Sequence, residues 1–82
     1  MKTIFLEVED AQYLGDFKIL IKFNNGINKV VDLENELNGD VFEPLKNPAE
    51  FKNFKISFNT IEWPNGADFA PEFLYQIGVI KQ

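Results

Sequence analysis

The sequence contains no cysteine, no histidine and no arginine, and only one serine, Ser57. Without cysteine, neither a disulfide framework nor a thiolate zinc site can form, which is typical of proteins in a reducing compartment. Without histidine, the commonest general base is missing and Ser57 has no imidazole to activate it. Glycine-rich nucleotide-binding loops are also missing. We therefore expect a protein that is not an enzyme and that uses no cofactor and no metal.

Acidic residues outnumber basic ones. Thirteen acids against eight lysines give a net charge of -5, which repels a phosphate backbone and predicts no direct binding to nucleic acid. The same charge favours a basic protein partner, although it is also an ordinary means of staying soluble. The first ten residues already contain three acids, so no long uncharged stretch marks a signal peptide or membrane span. A cytoplasmic location without membrane contact is expected.

The chain is short but rich in large apolar side chains. Its 82 residues, 45% hydrophobic and with nine phenylalanines, predict a single domain over residues 1–82 with one core. Alternating apolar and polar residues predict strands over residues 3–9, 17–23 and 27–33. Two further short strands, 55–58 and 60–63, surround a tight turn. The predicted class is α+β, a mostly antiparallel sheet of three to five short strands with short helices on one face.

The register of the hairpin formed by residues 17–33 can be argued from its charges. A two-residue loop would place Ile19 opposite Asp32, which is a poor cross-strand pair. A three-residue loop with Gly26 in the left-handed region instead matches Ile19 with Val31 and Lys18 with Asp32. The second register is the one we predict.

Three short helical segments are marked by capping signals. Asp32 can cap a turn over residues 33–37, and Asn47 can cap a helix that begins at Pro48, with Glu50 closing an approximate capping box. A last helix begins at Pro71 and ends at a glycine, residue 78.

One face of the predicted sheet carries apolar side chains that point away from the core. Phe5, Leu20 and Val30 lie there amid two lysines and an aspartate. Such a patch within a polar rim is typical of an oligomer or partner surface. The alternative, which the sequence leaves open, is that the C-terminal segment covers it.

Carboxylates offer the remaining chemistry. Glu62 and Asp68 flank Trp63, and two acids near an aromatic ring suggest a second hypothesis, a small carboxylate-dependent enzyme or sugar-binding protein. The alternative is structural, with Asp68 bonding the amides of its own turn and Glu62 simply facing outward. The acids at positions 32, 34, 36 and 40 lack the spacing of a calcium loop, which favours a solvated surface.

The chain resembles a small bacterial family, domain of unknown function 2442. Its C-terminal signature is similar to Trp63-Pro64-Asn65-Gly66-Ala67-Asp68, followed by Pro71 and Leu74-Tyr75. Upstream, the similarity continues through Leu20–Phe23 with Asn24-Asn25-Gly26, Val31-Asp32-Leu33, Val41–Leu45 and Phe51. Asn25 stands where the family often has aspartate before the hairpin glycine, and the turn tolerates both.

The resemblance implies a compact α+β domain and a role in protein interaction. Members of the family are sometimes joined to a helix-turn-helix segment and often lie beside genes for other small proteins, in pairs like those of toxins and antitoxins. We therefore expect an antitoxin-like or regulatory partner of another small protein, or a self-associating chain such as a homodimer. No residues follow Gln82 for a DNA-binding segment, so a repressor role for this chain alone is not expected. Trp63 is either a binding residue or part of the core.

Overall fold

A computed structural model describes residues 5–81 as an α+β fold with two antiparallel sheets and a few short helices. The strands and helices are β1 (Val8–Gly15), β2 (Lys18–Phe23), β3 (Asn28–Asp32), α1 (Pro48–Phe51), β4 (Lys55–Ser57), β5 (Thr60–Glu62), α2 (Pro71–Ile77) and β6 (Val79–Ile80). Two 3-10 turns, Glu34–Glu36 and Glu43–Lys46, precede α1. Within residues 5–81, no helix has both the length and the apolar character needed to cross a membrane.

All the helices pack on one face of the larger sheet, as predicted. The larger sheet has the strand order β1-β2-β3-β6, and β4 and β5 form a separate two-stranded sheet. Phe51 of α1 and Leu74 of α2 are fully buried, in the same cluster as Ile19 and Ile21 of β2. This side of the sheet is therefore the inner face, and the other side is called the outer face below.

The predicted hairpin register is confirmed. Ile19 lies opposite Val31, and the amide of Phe23 donates to the carbonyl of Ile27 at 2.9 Å, which closes a three-residue loop. Gly26 in that loop has a φ of +86°, a conformation that glycine adopts without a Cβ clash.

The predicted position of the first strand was wrong. We expected residues 3–9, but β1 begins at Val8 and continues to Gly15, while residues 1–4 lie outside the described part. The register shifts between Val8 and Asp10, which indicates a bulge. Because a bulge breaks the period of two, the inward positions of Val8, Ala11 and Tyr13 do not alternate along the sequence.

The helix ends follow the capping signals only in part. The Asn47 side chain accepts a hydrogen bond from the Ala49 amide at 3.0 Å, as predicted. The capping box with Glu50 was wrong, because the Asn47 amide donates to the Pro44 carbonyl instead. Asp32 accepts from the Glu34 amide at 3.0 Å and so begins the first 3-10 turn.

The end of α2 at residue 78 was predicted correctly, but the reason for glycine there differs. Gly78 has a φ of -70°, so it is not a left-handed stop. A Cβ on Gly78 would lie 2.9 Å from the Cβ of Lys29 and 3.0 Å from the carbonyl oxygen of Leu74. Glycine therefore allows α2 to pack closely against β3.

Candidate functional site

The segment that carries the family resemblance forms a tight turn after β5. The amide of Gly66 donates to the carbonyl of Trp63, and the amide of Trp63 donates to that of Ala67, both at 2.9 Å. The side chain of Asn65, rather than that of Asp68, accepts the Ala67 amide, at 3.1 Å. The side-chain nitrogen of Asn65 donates to the carbonyl of Val41 at 2.7 Å. Pro64 lies exposed at the start of this turn.

The loop between β2 and β3 uses the same arrangement. The Asn25 side chain accepts a hydrogen bond from the Ile27 amide at 3.0 Å, and its nitrogen donates to the Tyr75 hydroxyl at 3.3 Å. Gly26 closes the loop on the carbonyl of Phe23. Both turns thus share the order aromatic residue, any residue, asparagine, glycine. In each, the asparagine side chain also donates a hydrogen bond to a residue distant in the sequence. The shared geometry indicates a structural role for the signature.

Trp63 belongs to the core. It is 1% exposed, and its indole nitrogen donates to the carbonyl of Phe51 at 2.6 Å. The rings of Phe51, Phe54 and Phe69 surround it, with centroid separations of 5.5 to 6.1 Å. Its ring has no exposed face on which a sugar could stack.

Glu62 and Asp68 lie on neighbouring backbone segments. They form an isolated antiparallel bridge, with Glu62 half-buried and Asp68 exposed. Within residues 5–81, no group of three or more acidic side chains is placed to hold a metal ion. Because Trp63 is enclosed, the geometry gives no support to the carboxylate hypothesis, which stays a prediction.

Tyr75 joins α2 to the sheet. Its ring packs edge-on against Phe23 at a centroid distance of 5.0 Å. Lys29, only 9% exposed, places its Nζ 3.7 Å from the Tyr75 ring centroid and donates to the Tyr75 carbonyl at 2.6 Å. The carbonyls of a last helical turn lack intrahelical partners, so Lys29 stabilises the end of α2. Tyr75 is therefore a structural residue of the hairpin and helix contact.

Two of the three residues predicted for the outer face are neighbours there. Leu20 pairs across the strands with Val30, and Val30 pairs with Val79, which is 70% exposed. Phe5 lies away from them, because it precedes β1 and its carbonyl accepts a hydrogen bond from the Asn24 side chain. The alternative left open by the sequence, that the C-terminal segment covers this face, does not hold for residues 79–81, because β6 extends the sheet at its edge.

A further exposed residue, Phe58, was missed in the sequence. It forms the two-residue turn between β4 and β5 together with Asn59, and the two residues have φ values of +50° and +72°. Turns with two positive φ values favour pairs such as asparagine and glycine, and a bulky residue there is strained. Phe58 is nevertheless 91% exposed. The sequence pattern placed Phe58 at the end of a strand over residues 55–58, whereas β4 ends at Ser57.

A second phenylalanine in a similar turn shows what normally offsets such strain. Phe17 follows Asp16 in the turn between β1 and β2 and has a φ of +63°. Its ring lies 5.1 Å from that of Phe51 in an edge-on contact, and its carbonyl accepts from the Leu33 amide. Packing therefore supports Phe17. For Phe58, the part of the chain that the structure describes offers no aromatic contact.

The Phe58 turn lies beside the start of β1. The amide of Val8 donates to the carbonyl of Asn59 at 2.8 Å, and Phe5, which is 73% exposed, is three residues before Val8. Glu7 and Glu9 flank Val8 on either side. We call the region formed by the Phe58 turn and the segment of residues 5–9, with Phe5, Phe58, Glu7 and Glu9, the aromatic tip.

The family model described as protein of unknown function (DUF2442) matches residues 8–79 of the chain. The chain belongs to this family. The match begins with β1 and ends in β6, so the DUF2442 region includes the Trp63 turn and Phe58 but not Phe5. No curated protein and no solved structure matches the chain. The DUF2442 membership and the α+β fold agree with the resemblance seen in the sequence.

Proposed function

We propose that this chain is a non-enzymatic interaction domain that binds another small protein through the aromatic tip. The observation that carries the proposal is Phe58, a bulky side chain held in the left-handed region and 91% exposed. Strained residues persist where the surrounding structure enforces them, and they cluster at functional sites. Neither folding nor solubility accounts for an exposed phenylalanine at this position.

The turn fixes the backbone position of Phe58. Ser57 and Thr60 close the hairpin on either side, and Asn59 is bonded through its carbonyl to β1. A backbone that is already ordered loses little conformational entropy on binding. Burying a phenylalanine side chain in a partner gains roughly 1.5–3 kcal/mol, and aromatic residues are enriched among the residues that dominate binding energies.

The charges at the tip indicate the chemistry of the partner. Glu7 and Glu9 flank Val8, whose amide is bonded to the Phe58 turn, and the chain carries a net charge of -5. A partner with an apolar pocket and a basic rim fits this surface, because opposite charges speed encounter and fix orientation. The family resemblance supports an antitoxin-like or regulatory role toward another small bacterial protein.

Recovery of a partner from the native host tests the proposal. We expect the tagged chain and its Val41→Asn variant to recover the same protein in comparable amounts, since Val41 is 43% exposed but lies outside the tip. Phe58→Asn should reduce recovery by at least about tenfold, the effect of losing one dominant aromatic contact. Unchanged recovery with Phe58→Asn, or recovery of the chain alone under several growth conditions, would contradict the proposal.

The stability of the same variant separates binding from folding. Phe58→Asn should raise the free energy of unfolding by about 0.5–1 kcal/mol, because asparagine tolerates a positive φ. Phe17→Asn should lower it by roughly 1–3 kcal/mol, since the contact with Phe51 is lost. Urea titration followed by circular dichroism measures both. A loss of more than about 1 kcal/mol for Phe58→Asn would show that its ring serves the fold.

A further inference from the structure

The outer face of the larger sheet differs in charge from the rest of the molecule. Residues that pair directly across antiparallel strands share a face, so its side chains form three rows. The central row is Gln12, Leu20, Val30 and Val79, one flanking row includes Lys18 and Asp32, and the other is Asp10, Lys22, Asn28 and Lys81. Three lysines and two aspartates give this face a charge of +1, while the chain as a whole carries -5.

We propose that the outer face binds the outer face of a second copy of this chain, around a two-fold axis that runs parallel to the strands between β2 and β3. This surface shares no residue with the aromatic tip, so the dimer goes beyond the proposed function and does not depend on it. With this axis, β2 of one copy lies opposite β3 of the other, and β1 of one copy lies opposite β6 of the other. Sheets stacked face to face lie about 10 Å apart, and this axis keeps the strands of the two copies parallel.

The charges of the two copies complement each other in this arrangement. Lys18 lies opposite Asp32 of the second copy, and Asp10 lies opposite Lys81 of the second copy. Each contact occurs twice because of the symmetry. Within one chain, the Lys18 Nζ already lies 3.8 Å from the Asp32 Oδ2. The dimer therefore brings two such ion pairs together into one network. A two-fold axis perpendicular to the strands would instead place Lys18 over Lys22, which is repulsive.

The shapes of the two copies also complement each other. Leu20 lies opposite Val30 of the second copy at the centre. Val79, 70% exposed near one edge, meets a depression of about 190 Å³ on the other side of the axis. The depression is lined by Asp10, Gln12, Leu20, Lys22 and Asn28. The contact is thus an apolar row between two charged rows, as in the core and rim of protein interfaces.

Two neighbouring residues of β6 provide a matched pair of variants. Val79 faces outward with Val30, while Ile80 pairs with Lys29 on the inner side and is 57% exposed. In sedimentation equilibrium of the purified full chain, we expect a dimer whose dissociation constant rises at least about tenfold in Val79→Lys and stays unchanged in Ile80→Lys. Phe58→Asn should remain dimeric.

Two results would overturn the dimer. One is a chain that stays monomeric up to about 1 mM. The other is equal weakening by Val79→Lys and Ile80→Lys, which would show pairing along the edge of β6 instead of face to face. Either result leaves the aromatic tip proposal standing, because that proposal is tested by Phe58 alone.

A charge exchange tests the symmetry itself. Asp10→Lys and Lys81→Asp should each weaken the dimer, and the double variant should restore it to within about threefold of the parent. Since β2 and β3 separate β1 from β6, the two residues are about 14 Å apart within one chain. Rescue can therefore arise only between copies, and a double variant no tighter than the singles would contradict the proposed axis.

Discussion

Replacement of Trp63 by alanine is expected to lower the free energy of unfolding by roughly 3–5 kcal/mol, the usual effect of truncating a buried aromatic residue. The change would open a cavity among the rings of Phe51, Phe54 and Phe69. It would also leave the Phe51 carbonyl without its 2.6 Å hydrogen bond. Because a domain of this size has only a small margin of stability, we expect most of the variant to be unfolded near 37 °C.

Urea titration followed by far-ultraviolet circular dichroism measures this effect, since the variant no longer contains a tryptophan for fluorescence. Trp63→Phe is the matched control. It fills most of the cavity but still lacks the indole donor, so it should lose about 1–3 kcal/mol. A Trp63→Ala variant as stable as the parent would show that the indole is not a core residue and would reopen its assignment as a binding residue.

Replacement of Lys29 by glutamate is expected to have the second largest effect, a loss of roughly 3–5 kcal/mol, as for an uncompensated buried charge. Lys29 is 9% exposed and donates to the Tyr75 carbonyl at the end of α2. A carboxylate there would face the negative end of the helix and the negative face of the Tyr75 ring. We expect α2 and β6 to separate from β3, which hydrogen exchange of the Leu74 and Gly78 amides would reveal.

Two controls separate charge from packing at position 29. Lys29→Met keeps most of the aliphatic stem and should lose only about 1–2 kcal/mol, the contribution of the hydrogen bond and the cation-π contact. Lys52→Glu, at an exposed position after α1, should change stability by less than about 0.5 kcal/mol. If Lys29→Glu were no more destabilising than Lys52→Glu, the contact with Tyr75 would contribute nothing to the fold.

Local chemistry made several features predictable from the sequence. The hairpin register followed from the choice between a two-residue and a three-residue loop, because the two-residue loop would have placed Ile19 opposite Asp32. Asn47 and Pro48 marked the start of α1. The Asn47 side chain can accept a hydrogen bond from a free backbone amide of the first turn, and proline has no amide hydrogen that would need a partner there. Pro71 marked the start of α2 through the proline alone, because Ala70 before it provides no side-chain cap. Each signal depends on residues that are close in the sequence.

Features that depend on distant contacts were not predictable. The two residues of β6 carry no strand pattern of their own, and only their pairing with Lys29 and Val30 places Val79 on the outer face. Phe58 looks like any other apolar strand residue until the turn shows that both of its residues have positive φ. The predicted surface therefore contained Leu20 and Val30 but missed Val79 and Phe58.

The most direct test of the aromatic tip places a photo-crosslinking benzoylphenylalanine at position 58 in the native host. The account predicts one crosslinked product, a different protein from this chain, and no such product when the same residue is placed at Val41, which is exposed but outside the tip. Crosslinks to a second copy of the chain, identical products from both positions, or no product at all would contradict it.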